Sequence, residues 1–171
     1  MWNLPLDWGA LHISFMEALT ADNKNYDILK ALSDGDNLKA QDLIEDLLWA
    51  FISIRVYAGK SAPENFYEGF MAGMLSSFGH YVTNLKVEHE AGLGYADLSF
   101  CYEKNKGAMV IELKVAEDAE HAEIKANKAI EQIESKGYAT QFLKKYKIPS
   151  VSAVGIAFYG KNCVVATRRL N

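Results

Sequence analysis

The sequence has little proline, little cysteine and no long apolar run, and each shortage excludes a class of protein. Three prolines among 171 residues exclude a proline-rich disordered chain or a collagen-like fibre. Two cysteines, Cys101 and Cys163, have neither CxxC nor histidine-partner spacing, which excludes a disulfide scaffold and a zinc site and predicts buried thiols in a reducing compartment. The longest apolar run, Leu47 to Ile52, is far shorter than the roughly 18 residues of a membrane helix. Because the N-terminus also lacks signal-peptide features, we expect a cytoplasmic protein without a membrane partner.

What the sequence does contain is a large apolar fraction and an uneven distribution of charge. Half of the residues are hydrophobic, which is enough for one sizeable core. The formal charge is −4, but residues 1–122 carry 9 basic and 19 acidic side chains, whereas residues 123–171 carry 9 basic and 3 acidic ones. The balance is therefore −10 in the first part and +6 in the last. This polarisation predicts an anion-binding surface in the last third of the chain.

Hydrophobic periodicity predicts helices first and then a mixture of strands and helices. The predicted helices are Leu38 to Tyr57, Ser61 to Gly79, Glu117 to Lys136 and Tyr138 to Lys147. The predicted strands are Tyr81 to Glu90, Tyr95 to Tyr102, Ala108 to Val115, Val151 to Phe158 and Cys163 to Arg168. This order indicates a layered α/β or α+β domain over residues 61–171, preceded by a helical extension over residues 1–60 that packs on it.

The second and third predicted strands bring two acids and a lysine to one face of a hairpin. Glu112 and Lys114 are two residues apart, and Asp97 lies beside them if the hairpin closes around residue 105. One interpretation is an exposed sheet face with a cross-strand salt bridge, worth about 0.2–1 kcal/mol. The other is a divalent-cation site, because aliphatic residues surround these charges and buried carboxylates need a partner.

These residues belong to a longer pattern that resembles the PD-(D/E)xK nucleases. The quoted motifs are Pro63 to Phe70, Glu90 to Asp97, Val110 to Ala116, Gln132 through Gly137 and Tyr138, and Val154 to Lys161. Together they cover roughly residues 62–168 and are similar to the bacterial branch usually found C-terminal to an AAA-ATPase-like domain. The resemblance implies a restriction-endonuclease-like α/β core, with a central mixed sheet of a three-strand antiparallel meander plus two further strands, flanked by helices.

The resemblance also implies a role for each matching residue. The metal ligands would be Asp97, Glu112 and the carbonyl of Leu113, and the catalytic lysine would be Lys114. Gln132 would join the catalytic set from the following helix, as would Glu64 from the first core helix. Glu64 has an alternative role as the capping-box partner of Ser61. Residues that support the site from behind would be Glu68, Glu90 and Tyr138.

Two positions depart from the family pattern, and a row of cations extends it. Tyr95 stands where relatives often carry arginine, which removes a cation that could hold a phosphate, and Ala96 stands in place of the motif's proline. On the predicted helix, Lys125, Lys128 and Lys136 share a face with Gln132. A solvated helix face is the simple interpretation of this row. Beside a metal site, we expect it to track nucleic-acid phosphates.

We therefore expect a nuclease that uses Mg²⁺ or Mn²⁺ to hydrolyse nucleic acid, with DNA favoured over RNA. The alternative is a catalytically inactive nuclease-like module that binds nucleic acid or protein, as a fragment of an ATPase-linked protein. A homodimer and an ATPase domain or subunit outside this chain are further partners that the resemblance leaves open.

Overall fold

Five strands and four α-helices make up the part of the chain that the computed structural model describes. This part comprises residues 24–51 and 64–171, except the side chains of His80, His89 and Glu90. The helices are α1 (Lys24–Asp34), α2 (Asn37–Phe51), α3 (Glu64–Ser76) and α4 (Ala119–Ser135). The strands are β1 (Val82–Ala91), β2 (Gly94–Tyr102), β3 (Gly107–Val115), β4 (Val151–Tyr159) and β5 (Asn162–Leu170). A 3₁₀ turn (Gly79–Tyr81) precedes β1, and a π-helical turn (Gln141–Lys145) precedes β4.

The five strands form one mixed sheet in the order β1-β2-β3-β4-β5. The first three strands are antiparallel, β3 and β4 are parallel, and β4 and β5 are antiparallel. A parallel pair needs a long crossover rather than a tight turn, and α4 supplies it between β3 and β4. The sheet, its flanking helices and the helical region before it confirm the predicted α/β restriction-endonuclease-like architecture. None of the helices in the described ranges is long and apolar enough to cross a membrane.

The sheet is covered on both faces, because successive residues of each strand point to opposite sides. One face packs against α1, α2 and α3, through residues such as Met109, Ile111 and Leu113 of β3. The other face packs against α4 and the π-helical turn, through residues such as Ala108 and Val110. Strand β3 is therefore buried along most of its length, as its aliphatic sequence predicts. Of the two charged side chains on this strand, Glu112 is therefore buried and Lys114 is partly buried.

Helix α4 lies unusually close to β4, because small residues line the contact. Ala122, Ala126 and Ala129 are fully buried on the helix, and Gly155 is the residue of β4 beneath them. A Cβ atom at Gly155 would stand 2.0 Å from the carbonyl oxygen of Ala126. Gly155 is also the register partner of Glu112. This close approach brings α4 over the part of β3 that carries the charged residues.

Two helix boundaries differ from the predicted ones for local reasons. Helix α4 begins at Ala119 rather than Glu117, because the Asp118 side chain accepts a hydrogen bond from the backbone N–H of His121 and caps the helix. Helix α3 ends at Ser76 rather than Gly79, because the backbone N–H groups of Ser77 and Phe78 donate to carbonyls three residues back and tighten the last turn. The capping role of Ser61 and residues 52–57 of the first predicted helix, Leu38 to Tyr57, lie outside the described residues.

The predicted helix from Tyr138 to Lys147 is wrong in length. Only one π-helical turn forms there, with the backbone N–H of Tyr146 donating to the carbonyl of Gln141. Lys147 then adopts a φ of 53°, a left-handed conformation that interrupts a right-handed helix. The apolar spacing at Tyr138 and Phe142 that suggested a helix instead packs a short turned segment onto the sheet.

Candidate active site

The candidate site lies where β2 and β3 diverge. Their backbone pairing runs from Tyr102 opposite Gly107 to Leu98 opposite Ile111 and then stops. Beyond that point the Asp97 carboxylate replaces the neighbouring strand, and its Oδ2 accepts a hydrogen bond of 2.7 Å from the backbone N–H of Leu113. In an extended strand, the N–H and C=O of one residue are directed to the same neighbour. The Leu113 carbonyl is therefore directed to the side of β3 where Asp97 lies.

Glu112 is the most enclosed acid of the site, with 2% of its surface exposed. Its Oε1 accepts hydrogen bonds from Lys114 Nζ at 2.8 Å and from Gln132 Nε2 at 2.5 Å. Its Oε2 is buried and has no hydrogen-bond partner among the described residues. A buried polar atom without a partner costs about 1–3 kcal/mol. A cation at Oε2 would remove that cost.

Burial dominates the electrostatics of the two central carboxyl groups. Burial raises the pKa of Glu112 from 4.5 to about 7. The hydrogen bond from Lys114 opposes this rise, and the negative charge of Asp97 adds to it. Burial also raises the pKa of Asp97, against the hydrogen bond from Leu113 and the charge of Lys114. Burial alone would lower the pKa of Lys114, but the hydrogen bond and charge of Glu112 outweigh it and raise that pKa. The lysine therefore remains an ammonium group.

Helix α3 brings two more acids towards this centre. Glu64 Oε1 lies 3.9 Å from Lys114 Nζ. Glu68 has a buried Oε1 without a hydrogen-bond partner among the described residues, and burial followed by the charges of nearby acids raises its pKa. Tyr67 holds the helix in place, because its ring stacks on Phe158 at a centroid distance of 4.2 Å and its hydroxyl donates to the Gly160 carbonyl at 2.7 Å.

One acid of this group, Glu88, was missed by the sequence prediction. It lies on β1 between Val87 and His89, whose register partners are Leu98 and Ala96, so it stands opposite Asp97. Its charge contributes to the raised pKa values of both Asp97 and Glu68. Glu88 also has a φ of 42°, a conformation that non-glycine residues rarely adopt. The signal was the two-residue turn after β1, which sets the register and aligns residue 88 with residue 97.

The other predicted site residues are placed as follows. Gln132 and Tyr138 join the centre, since Gln132 Nε2 donates to Glu112 and lies 3.5 Å from the Tyr138 hydroxyl. Glu90 pairs through its backbone with Tyr95, and its side chain lies outside the described part of the chain.

The predicted lysine row divides into one engaged and two exposed members. Lys125 Nζ donates to the carbonyl of Val115 at 2.7 Å and lies 3.2 Å from a Glu117 carboxylate oxygen. Its ammonium group therefore satisfies the backbone carbonyl of the last residue of β3. Lys128 on α4, Lys136 at the C-terminal cap of α4 and Tyr95 on β2 are exposed.

The donor set fits a hard divalent cation. Carboxylates outnumber ammonium groups five to one among the mutually interacting residues Glu64, Glu68, Glu88, Asp97, Glu112 and Lys114. Within residues 24–51 and 64–171, no three His, Cys, Asp or Glu side chains are arranged to hold an ion by themselves. An ion here would therefore rely on the two carboxylates, the Leu113 carbonyl and water. The buried Oε2 of Glu112 and this excess of negative charge both favour such an ion.

The chain thus combines a mixed five-stranded α/β sheet with a centre of carboxylates around one lysine. A family model of the PD-(D/E)XK nuclease superfamily matches residues 62–168, which is more than half of the chain. The chain therefore belongs to the PD-(D/E)XK nuclease superfamily. This membership indicates a nucleic-acid substrate and the use of divalent metal ions, as is general in the superfamily. No curated protein matches the sequence.

Proposed function

We propose that the protein is a metal-dependent nuclease that hydrolyses phosphodiester bonds in DNA. The observation that carries this proposal is the buried Glu112 carboxylate, with one oxygen held by Lys114 and Gln132 and the other without a hydrogen-bond partner within residues 24–51 and 64–171. A structural ion pair has no need of such an oxygen, whereas a metal ligand does. Asp97, Glu112 and the Leu113 carbonyl would hold Mg²⁺ or Mn²⁺. When bound, the ion would lower the pKa of a water molecule and neutralise charge on the phosphate.

The remaining side chains would prepare the site for the reaction. Lys114 carries a positive charge between Glu112 and Glu64, where it would stabilise negative charge that develops on the phosphate in the transition state. Gln132 donates to Glu112 and thereby limits the rotation of that carboxylate. Tyr138 lies behind Gln132, and Glu64 would orient water at the more exposed side of the centre.

The exposed cations of α4 would guide the substrate. Lys128 is exposed on the helix that carries Gln132, and Lys136 is exposed at the C-terminal cap of that helix. Phosphate contacts of this kind position a nucleic acid without reading its sequence. Tyr95 is exposed two residues before Asp97 and replaces a cation with an aromatic ring. Substrate binding therefore depends more on α4 than it would with arginine at position 95.

The proposal is tested by cleavage of supercoiled plasmid and single-stranded DNA in Mg²⁺ or Mn²⁺. We expect activity in the natural chain and a loss of at least about 100-fold in Glu112→Gln and Lys114→Ala, because each removes a group that acts on the transition state. Glu131→Gln is the matched control, since it removes an exposed carboxylate from the same helix as Gln132. Equal cleavage by Glu112→Gln and the natural chain would refute the proposed site.

Calorimetry separates this function from that of an inactive module. We expect Mn²⁺ to bind the natural chain at millimolar concentration or below and to bind Glu112→Gln much more weakly. Absence of binding to the natural chain would favour a domain that keeps the fold and acts through a partner.

We further propose that the protein belongs to the ATPase-associated branch of the superfamily and works with an ATPase domain or subunit. This proposal rests on the ordered motifs of residues 62–168. Addition of a candidate ATPase should change the rate or the processivity of cleavage, and light scattering would show whether the chain alone forms a homodimer.

A further inference from the structure

A second concave feature lies on the same sheet face as the candidate active site. A cavity of about 200 Å³ opens between the β1–β2 hairpin and the π-helical turn, and its polar wall includes Asn84, Lys86 and Asn105. Phe142 and Tyr146 form its aromatic wall. Pockets for drug-sized ligands span about 300–1,000 Å³, so this cavity suits a single planar ring system.

The backbone around this cavity is held in conformations that cost energy. Asn84 has a φ of 56° and lies in the bulge where the β1–β2 register shifts between Thr83 and Lys86. Asn105 has a φ of 68° in the turn between β2 and β3, and Lys147 has a φ of 53° beside the aromatic wall. Such residues cluster at ligand-binding sites, and bulges redirect side chains there. The two asparagine side chains are thus brought to one cavity by two separate irregularities of the backbone.

The lining residues offer the contacts that a nucleobase needs. Tyr146 is 50% exposed and has Lys145 Nζ over its ring, 5.5 Å from the centroid, so an exposed aromatic residue lies beside a cation. Asn84 and Asn105 carry amide groups, which can both donate to and accept from the edge of a base. Lys86 at the wall, with exposed Lys145 and Lys147 beside it, supplies positive charge for the adjoining phosphates.

We propose that this cavity binds one unstacked base of the substrate strand, with Tyr146 as the stacking surface and the asparagines at the base edge. The proposal rests on the nucleic-acid substrate of the proposed function. Cys101 lines the cavity and lies four residues along β2 from Asp97, on the same face, which corresponds to about 13 Å. At about 3.4 Å per stacked nucleotide, the bound base lies up to about four steps from the scissile phosphate.

Binding measurements without cleavage test the proposal directly. In EDTA at low salt, fluorescence anisotropy compares a labelled oligothymidylate with an abasic strand of equal length and charge. We expect the natural chain to prefer the strand with bases by about 5- to 150-fold, the effect of one stacked base. Tyr146→Ala should lose most of this preference and bind the abasic strand as the natural chain does. Tyr146→Phe should retain the preference, because it keeps the ring.

A second variant addresses the base edge, and competition addresses the source of the base. Asn105→Gly removes the amide while tolerating the left-handed backbone, and should reduce the preference for strands with bases. A thymidine monophosphate that binds as tightly as the oligonucleotide would assign the cavity to free nucleotides and overturn the proposal. Equal binding of both strands by the natural chain, or an unchanged preference in Tyr146→Ala, would also overturn it.

These outcomes are independent of the nuclease proposal. If Glu112→Gln abolishes cleavage but Tyr146→Ala leaves the preference for bases unchanged, the nuclease proposal stands and the base-pocket proposal is wrong. If the natural chain prefers strands with bases through Tyr146 but cleaves no nucleic acid, the base-pocket proposal stands and the nuclease proposal is wrong.

Discussion

The contact between α4 and β4 predicts that Gly155→Ala damages both stability and the candidate site. The new Cβ would lie 2.0 Å from the Ala126 carbonyl oxygen and 2.9 Å from Ala129 Cβ. Restoring an acceptable contact requires a movement of α4 or β4 by about 1 Å, and overpacking of this kind costs about 1–3 kcal/mol. The lower entropy of alanine in the unfolded chain returns about 0.4–1 kcal/mol. We therefore expect a net loss of about 1–2 kcal/mol in the free energy of unfolding.

The same movement should weaken the site, because Gln132 is on the displaced helix. Its Nε2 lies 2.5 Å from Glu112 Oε1, and a shift of about 1 Å would move it out of good hydrogen-bond distance. Misplacement on this scale can cost about 100-fold in rate. Urea denaturation and plasmid cleavage measure the two effects.

Gly73→Ala is the matched control for this substitution. On helix α3 its Cβ would meet no atom of the described part of the chain within 4 Å, so the variant should gain about 0.5–1 kcal/mol in stability. If Gly155→Ala were as stable and as active as the natural chain, the inferred contact between α4 and β4 would be wrong.

Three further predictions concern charged side chains. In EDTA, Glu112→Gln should be no more stable than the natural chain near pH 4.5 and about 3 kcal/mol more stable above pH 7. The reason is that the folded-state pKa of Glu112 is raised to about 7, so the natural chain loses stability as the pH rises through that value. Urea denaturation at both pH values checks this, and a difference that does not depend on pH would contradict it. Mn²⁺ at 100 times its Kd should stabilise the natural chain by about 2.7 kcal/mol and therefore raise its Tm in thermal denaturation. The Tm of Glu112→Gln should stay unchanged. Lys125→Met should lose about 1 kcal/mol of folding stability, because the hydrogen bond to the Val115 carbonyl is lost. Lys128→Met should keep its stability and reduce the salt dependence of DNA binding, because Lys128 is exposed. A loss of stability in Lys128→Met and of salt dependence in Lys125→Met would contradict these roles.

The hairpin part of the site could be predicted from the sequence because local turns control it. A turn around residue 105 brings Asp97 to the same face as Glu112 and Lys114, and the structure has this register. The two-residue connection after β1 specifies the position of Glu88 equally well, whereas the family pattern points to Glu90. Alternation along a strand identifies a face, whereas only the register identifies the residue that stands opposite.

Other features depend on contacts between distant segments and could not be predicted. The pairing of Lys125 with the Val115 carbonyl requires the angle at which α4 leaves β3, which no helical periodicity specifies. The π-helical turn has the apolar spacing of a helix, and tertiary packing together with the left-handed Lys147 limits its length. The short distance between Gly155 and Ala126 depends on a parallel pairing across the whole crossover.

The shared core has a consequence for how this protein can be divided. The superfamily match begins at residue 62, yet Ile28, Leu32 and Ile44 of α1 and α2 are fully buried in the same cluster as Leu113 and the residues of α3. Each such side chain contributes about 1.5–3 kcal/mol by its burial. The region matched by the superfamily and the hydrophobic core thus have different boundaries. Transplanting residues 62–168 into another protein would require a substitute cover for this face of the sheet.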